Sequence, residues 1–208
     1  MKKLFFAAIS VCLLLFSSCK NKGSETTSTS TSSTTTEVKN DGDQKTSDAP
    51  AFETATAYND YIINRQRTIY DYIFKMSDAT NSDMDSREKI IDEALPVIDK
   101  ILGEVKAMPP FKGDVSFRDA AIELFGFYKT TFDKSYRAII EINKKGAKKT
   151  KADQAMLQKI SNEITQTEAG LDVAMKSAQK AFGSANGMMV QENTELQEKV
   201  DNMNKKDN

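Results

Sequence analysis

Histidine and tryptophan are absent from this 208-residue chain, and cysteine occurs twice, at Cys12 and Cys19. Without histidine the chain lacks the side chain whose ordinary pKa lies near neutrality. Ser–His–Asp and Cys–His catalysis are therefore excluded, and so are the Glu-x-x-His motifs of di-metal helical bundles. Carboxylate-only chemistry of the glycosidase type survives this count. The acids, however, fall mostly on the polar faces of helical segments, so no catalytic residue, metal ligand or cofactor is assigned. Proline (4) and glycine (9) are scarce and gather mainly between periodic segments.

A bilayer-spanning run is also missing: Leu4 to Phe16 is about 13 residues, short of the roughly 20 that a transmembrane helix needs. That run follows Met1-Lys2-Lys3 and precedes Ser17-Ser18-Cys19, giving the charged, apolar and small-residue regions of a secretory signal. The small residues before Cys19 resemble the lipobox of bacterial lipoproteins, with Phe16 where leucine is usual. The resemblance implies cleavage after residue 18 and acylation of Cys19 with fatty chains such as palmitate. Cys12 would be discarded, leaving a thiol that cannot form an internal disulfide.

Removal of Lys2 and Lys3 takes the basic count from 29 to 27 against 30 acids, a net charge of −3. Such a chain has no general attraction for nucleic acid, so the expected partner is a membrane, through lipid on Cys19. Lys20 stands where aspartate would signal inner-membrane retention in enteric bacteria, which points to the outer membrane. The following residues, Asn21 to Glu25, leave open whether the module faces periplasm or medium.

Residues 19–51 are dominated by Ser, Thr, Asp, Lys and Asn, and Thr26 to Thr36 is nearly pure Ser and Thr. Too little apolar surface is present to offset chain entropy, which predicts a disordered tether or O-glycosylated stalk. About 30 such residues have a root-mean-square reach of roughly 30 Å.

Four segments with helical periodicity follow. The first, Phe52 to Ser77, repeats Tyr58, Tyr61, Ile62, Ile69, Tyr72, Ile73 and Met76 at steps of three and four. The second, Ser86 to Met108, contains Pro96, which predicts a kink or a late start, and stops at Pro109-Pro110. The third, Val115 to Lys145, carries Phe117, Ala121, Leu124, Phe125, Tyr128, Phe132, Tyr136, Ile139 and Ile140 and ends at Gly146 as a C-cap. The fourth starts at Thr150 and carries Met156, Ile160, Ile164, Thr167, Leu171, Ala174, Met175, Ala178 and Phe182.

No segment reads as a strand. The expected class is all-α: an up-down-up-down antiparallel four-helix bundle over residues 52–182, on a disordered N-terminal stalk. Met189, Leu196, Val200 and Met203 stay nearly in phase beyond Gly183 and Gly187, so residues 183–208 read as a helical extension of the fourth helix. Continued to Met203, that helix would be about 54 residues and roughly 80 Å long. Its apolar stripe would dock on the bundle, pair with a second copy, or receive another envelope protein.

Tyr58-Asn59-Asp60-Tyr61-Ile62-Ile63-Asn64, together with the order of lipobox, stalk and bundle, resembles helical surface lipoproteins of Leptospira and Bacteroidota, families without an established activity. The resemblance spans about residues 52–182 and implies fold and class only.

Three further features bear on function. Arg65 falls within the apolar stripe of the first helix, where a charge needs a partner, and Glu163 and Glu168 beside the fourth stripe are the candidates. Asn81-Ser82-Asp83-Met84-Asp85-Ser86, with Asp92 farther on, loosely echoes a calcium loop, but Ser86 replaces the turn glycine and Asp92 the bidentate glutamate. Capping of the second helix by Asp83, Asp85 and Ser86 is the competing reading. Lys144, Lys145, Lys148, Lys149 and Lys151 cluster at the third connection, which in an up-down bundle lies beside Asp78, Asp83 and Asp85. The expectation is a non-enzymatic, membrane-anchored interaction or structural module. The alternative is a ligand or ion receptor using the bundle interior or the acidic loop 81–92.

Overall fold

Thr54 sets the start of the first helix: its hydroxyl accepts from the Ala57 amide at 3.1 Å, satisfying a backbone donor that the helix itself leaves open. The computed structural model describes residues 16–18, 50–79, 83–192 and 198. From Thr54, α1 runs over Ala55–Asp78 and α2 over Met84–Lys106. The third rod consists of α3 (Ser116–Thr130), a π-helical segment (Thr131–Tyr136) and α4 (Arg137–Lys144). A short 3-10 turn, Gly146–Lys148, leads to α5, Lys151–Ala185, which is 35 residues long. The four rods pack antiparallel, with α3 contacting α1, α2 and α5.

Pro96 lies inside α2 and neither ends it nor delays its start. It offers no N–H to the Asp92 carbonyl one turn earlier, so the helix continues there on its packing. Ala94 and Ile98, on either side of Pro96, are fully buried and hold that turn against the core.

The π-helical segment has a source in the sequence. Leu124, Tyr128, Phe132, Tyr136 and Ile140 recur at strict four-residue steps, and an α-helix of 3.6 residues per turn rotates such a series by about 40° at each step. A wider π turn takes up the drift. Phe132 and Ile140 are thereby both completely buried.

One end of the bundle is closed by aromatic rings. Tyr58 stacks on Phe182 at 5.3 Å and also meets Phe52 and Phe111, while Phe182 contacts Phe111 and Phe117. The opposite end holds the first and third connections. There Gly146 takes φ +56°, the left-handed conformation expected of a C-cap.

The fourth helix does not continue to Met203. It ends at Ala185, and Gly187 at φ +65° turns the chain back, with the Met188 amide donating to the Gly183 carbonyl at 2.9 Å. Beyond this turn β2 (Val190–Glu192) pairs antiparallel with β1 (Phe16–Ser18), Ser18 opposite Val190. This short ladder corrects the expectation that no residue would form a strand. Cys19 and most of residues 1–49, Asn81 and Ser82, and Leu196, Val200 and Met203 lie outside the described residues.

Candidate functional site

The inner face of α5 differs in kind from the other buried faces. Leu157, Ser161, Ile164, Glu168, Asp172, Met175, Gln179 and Phe182 are its buried side chains, recurring at steps of three or four residues much like the seam of a coiled coil. Half of these positions are polar. The sequence-derived stripe was rotated by about one residue, because it followed mainly apolar residues: Met156, placed in it, is 49% exposed.

The polar positions are satisfied from α1 and α3. Glu168 is 4% exposed, and its Oε1 lies 3.0 Å from the Tyr128 hydroxyl. That hydroxyl is also 3.1 Å from the hydroxyl of Tyr70, which accepts from Gln66 Nε2 at 3.0 Å. Three helices are thus joined by an amide, two phenols and a carboxyl in series. About three turns along α5 from Glu168, toward the aromatic end, Gln179 Nε2 donates to Asn59 Oδ1 at 2.7 Å. Asp172, 2% exposed, forms an ion pair with Lys176 one turn on.

Burial sets the electrostatics. It pushes the Glu168 carboxyl up to about 7, partly opposed by the Tyr128 hydrogen bond and reinforced by the charge of Asp172. Burial likewise raises Asp172, against the lowering effect of Lys176. Tyr70 and Tyr128 are held well above the ordinary phenol range by burial, with nearby carboxylates adding to it. Both phenols therefore keep their protons. Glu168 is the member of the series whose charge changes near neutrality.

Arg65 meets neither Glu163 nor Glu168. Its Nε donates to Glu104 Oε2 at 2.8 Å, its Nη1 donates to the Tyr61 carbonyl at 3.1 Å, and its guanidinium lies 3.2 Å from the Tyr61 ring centroid. The reason is lateral placement: Arg65 sits at the rim where α1 packs on α2. Glu168 points instead into the seam, and Glu163 is an exposed residue within reach of Lys159 at 3.7 Å.

Asp83 caps α2, accepting from the Ser86 amide at 2.9 Å and from its hydroxyl at 2.5 Å. These bonds lower the Asp83 carboxyl below its ordinary range. Asp92 faces away from that loop and accepts from Arg137 Nη2 at 2.7 Å, so the acids of the calcium-like pattern are divided between different partners. Among the described residues no group of three or more acids or cysteines is placed to hold a metal ion.

The first and third connections share an end of the bundle, as the sequence implied. Asp83, Asp85, Asn143, Lys144 and Lys149 help to line a cleft of 520 Å³ there. Three of the five lysines bond to groups other than Asp78, Asp83 and Asp85, although the charge of Asp85 also acts on Lys144: Lys144 binds Glu88 at 2.7 Å and lies 3.6 Å from Glu141, and Lys145 binds Asp153 at 2.6 Å. Lys149 donates to Asn143 Oδ1 at 2.7 Å. Met189, from the expected partner stripe, is 69% exposed but lies past the end of α5 rather than on it.

No protein-family model matches this chain, and neither a curated protein nor a solved structure is significantly similar to it.

The buried series was missed in the sequence because its members are polar. A signal was present: Ser161, Glu168, Asp172 and Gln179 fall at heptad-like spacing among Leu157, Ile164, Met175 and Phe182.

Proposed function

We propose that this chain is a lipid-anchored envelope protein of the outer membrane, in which acylated Cys19 and a Ser/Thr-rich tether present a non-enzymatic helical module to another envelope component. The order Lys2-Lys3, Leu4 to Phe16, Ser17-Ser18-Cys19 carries the reading. Cleavage before Cys19 would remove β1, freeing one edge of β2 at the C-terminal end of α5. Among the described residues no helix is long and apolar enough to cross a membrane, which is consistent with a lipid as the anchor. The likeness to helical surface lipoproteins of Leptospira and Bacteroidota supports the same class.

The interior favours an interaction or structural role over catalysis. Glu168, Tyr128, Tyr70 and Gln66 are bonded to one another in the packed seam. Metabolic labelling with a radioactive fatty acid tests the anchor: the wild-type chain takes label and sediments with membranes, whereas Cys19→Ser takes none and becomes soluble. Label retained by Cys19→Ser would overturn the assignment.

A receptor for a small polar ligand is the second reading, favoured by the cleft between the first and third connections. Asn143 Nδ2 is buried there with no hydrogen-bond partner among the described residues, an open donor beside Lys144 and Lys149. Equilibrium binding of a panel of small zwitterions and anions, compared with Asn143→Leu, checks it: binding lost in the variant supports a receptor, and no binding excludes this cleft for those classes.

A further inference from the structure

A phenol has one proton, so Tyr128 cannot donate to Tyr70 and to Glu168 at the same time. With Glu168 ionised, the carboxylate can only accept, which fixes the direction of the whole series. Gln66 Nε2 donates to Tyr70, Tyr70 to Tyr128, and Tyr128 to Glu168. In that arrangement Gln66 Oε1 is left buried with no hydrogen-bond partner among the described residues.

A protonated Glu168 has a hydrogen to give. The same heavy atoms then support the opposite direction: Glu168 donates to Tyr128, Tyr128 to Tyr70, and Tyr70 to Gln66 Oε1 once the terminal amide has turned over. The acceptor needed at the far end is the atom that the first arrangement strands. We infer that Gln66, Tyr70, Tyr128 and Glu168 form a hydrogen-bond wire across α1, α3 and α5 whose polarity reverses when Glu168 binds a proton.

The surroundings suit such a device. From α1, Tyr70 is the titratable group on the wire; from α3, Tyr128. Tyr136 of the π-helical segment is electrostatically coupled to both Glu168 and Arg87, the buried arginine of α2 whose Nη2 donates to the Ala79 carbonyl at 2.8 Å. On α5 itself Asp172 is paired with Lys176. The charges of α4 are engaged elsewhere, Arg137 with Asp92 and Lys144 with Glu88. The groups that act on Glu168 itself are the Tyr128 hydroxyl, through its hydrogen bond, and the charge of Asp172.

The test is a carbon-13 NMR titration of the full chain in detergent micelles, with glutamate labelled at the side-chain carboxyl. Glu168→Gln removes one signal and thereby assigns it. In the wild type that signal should titrate near neutrality. Gln66→Leu removes the acceptor that the Tyr70 proton needs in the protonated state but leaves every hydrogen of the ionised series with an acceptor. Proton binding should therefore weaken roughly three- to tenfold, lowering the midpoint by about half to one pH unit. Tyr70→Phe strands one hydrogen in each state, that of the Gln66 amide or that of Tyr128, and should move the midpoint by less. A buried acid acting alone would keep its midpoint in both variants even if stability fell. An unchanged or raised midpoint in Gln66→Leu, or ordinary carboxylate titration in the wild type, would overturn the wire.

Discussion

Gln179 and Asn59 are 120 positions apart in sequence, yet Nε2 of the first donates to Oδ1 of the second over 2.7 Å in the buried seam between α5 and α1. Each is 2% exposed. A bond of this kind adds little net stability, but breaking it strands a desolvated group. Gln179→Ala should lower the unfolding free energy by about 1–3 kcal/mol in urea titrations, and Asn59→Ala should do the same. The double variant should cost less than the sum, because both changes break one bond.

Glu168 makes stability depend on pH. Its folded carboxyl lies near 7, above its ordinary value of 4.5, so the folded state holds the proton more tightly than the unfolded chain. Its sign is therefore fixed: the contribution to stability is full below about 4.5, falls as pH rises toward about 7, and is lost above that. The difference of about 2.5 pH units corresponds to an upper bound of roughly 3 kcal/mol. Asp172, also raised, adds a contribution of the same sign. Glu168→Gln should flatten the fall in unfolding free energy between pH 5 and pH 8 (about the Glu168 window), and an equally steep fall in the variant would contradict this role.

Arg65 and Glu104 are 21% and 31% exposed in their side chains, which screens their attraction. A double-mutant cycle with Arg65→Met and Glu104→Gln should give a coupling of about 0.5–1 kcal/mol. The same cycle between Arg65 and Glu163 should give none. Arg65→Met alone should also remove the stacking on Tyr61.

Gly183 is where the returning chain meets α5. A Cβ placed there would lie 2.6 Å from Val190 Cγ2 and 3.0 Å from the Met188 carbonyl oxygen. Gly183→Ala should displace residues 188–190 while the bundle stays folded. Limited proteolysis should then cut faster after Ala185, with the melting temperature lowered by only a few degrees (about 1 kcal/mol of a domain of this size). Unchanged cleavage would show that the return does not depend on this contact.

The helices were legible because apolar periodicity and proline or glycine punctuation agreed over long stretches: Gly146 and Thr150 stand at element boundaries, and Pro109-Pro110 falls in the connection between α2 and α3. Asp83 was legible as a cap for the same local reason. The partner of Arg65 was not, since a helical stripe gives the face of a residue but not which neighbour covers its rim. The wire was hidden further, because Gln66, Tyr70, Tyr128 and Glu168 gain meaning only when three helices are brought together. The C-terminal extension misled because the phase of Met189 matched α5, while the left-handed turn at Gly187 had already ended the helix.

The anchor at Cys19 is the claim on which the proposed function depends most. Mass spectrometry of the N-terminal peptide of the protein purified from bacterial membranes tests it directly. The expected result is a peptide that begins at Cys19, lacks residues 1–18 and carries the added mass of fatty-acyl chains. A peptide that begins upstream of Cys19, or one with an unmodified Cys19 thiol, would contradict it.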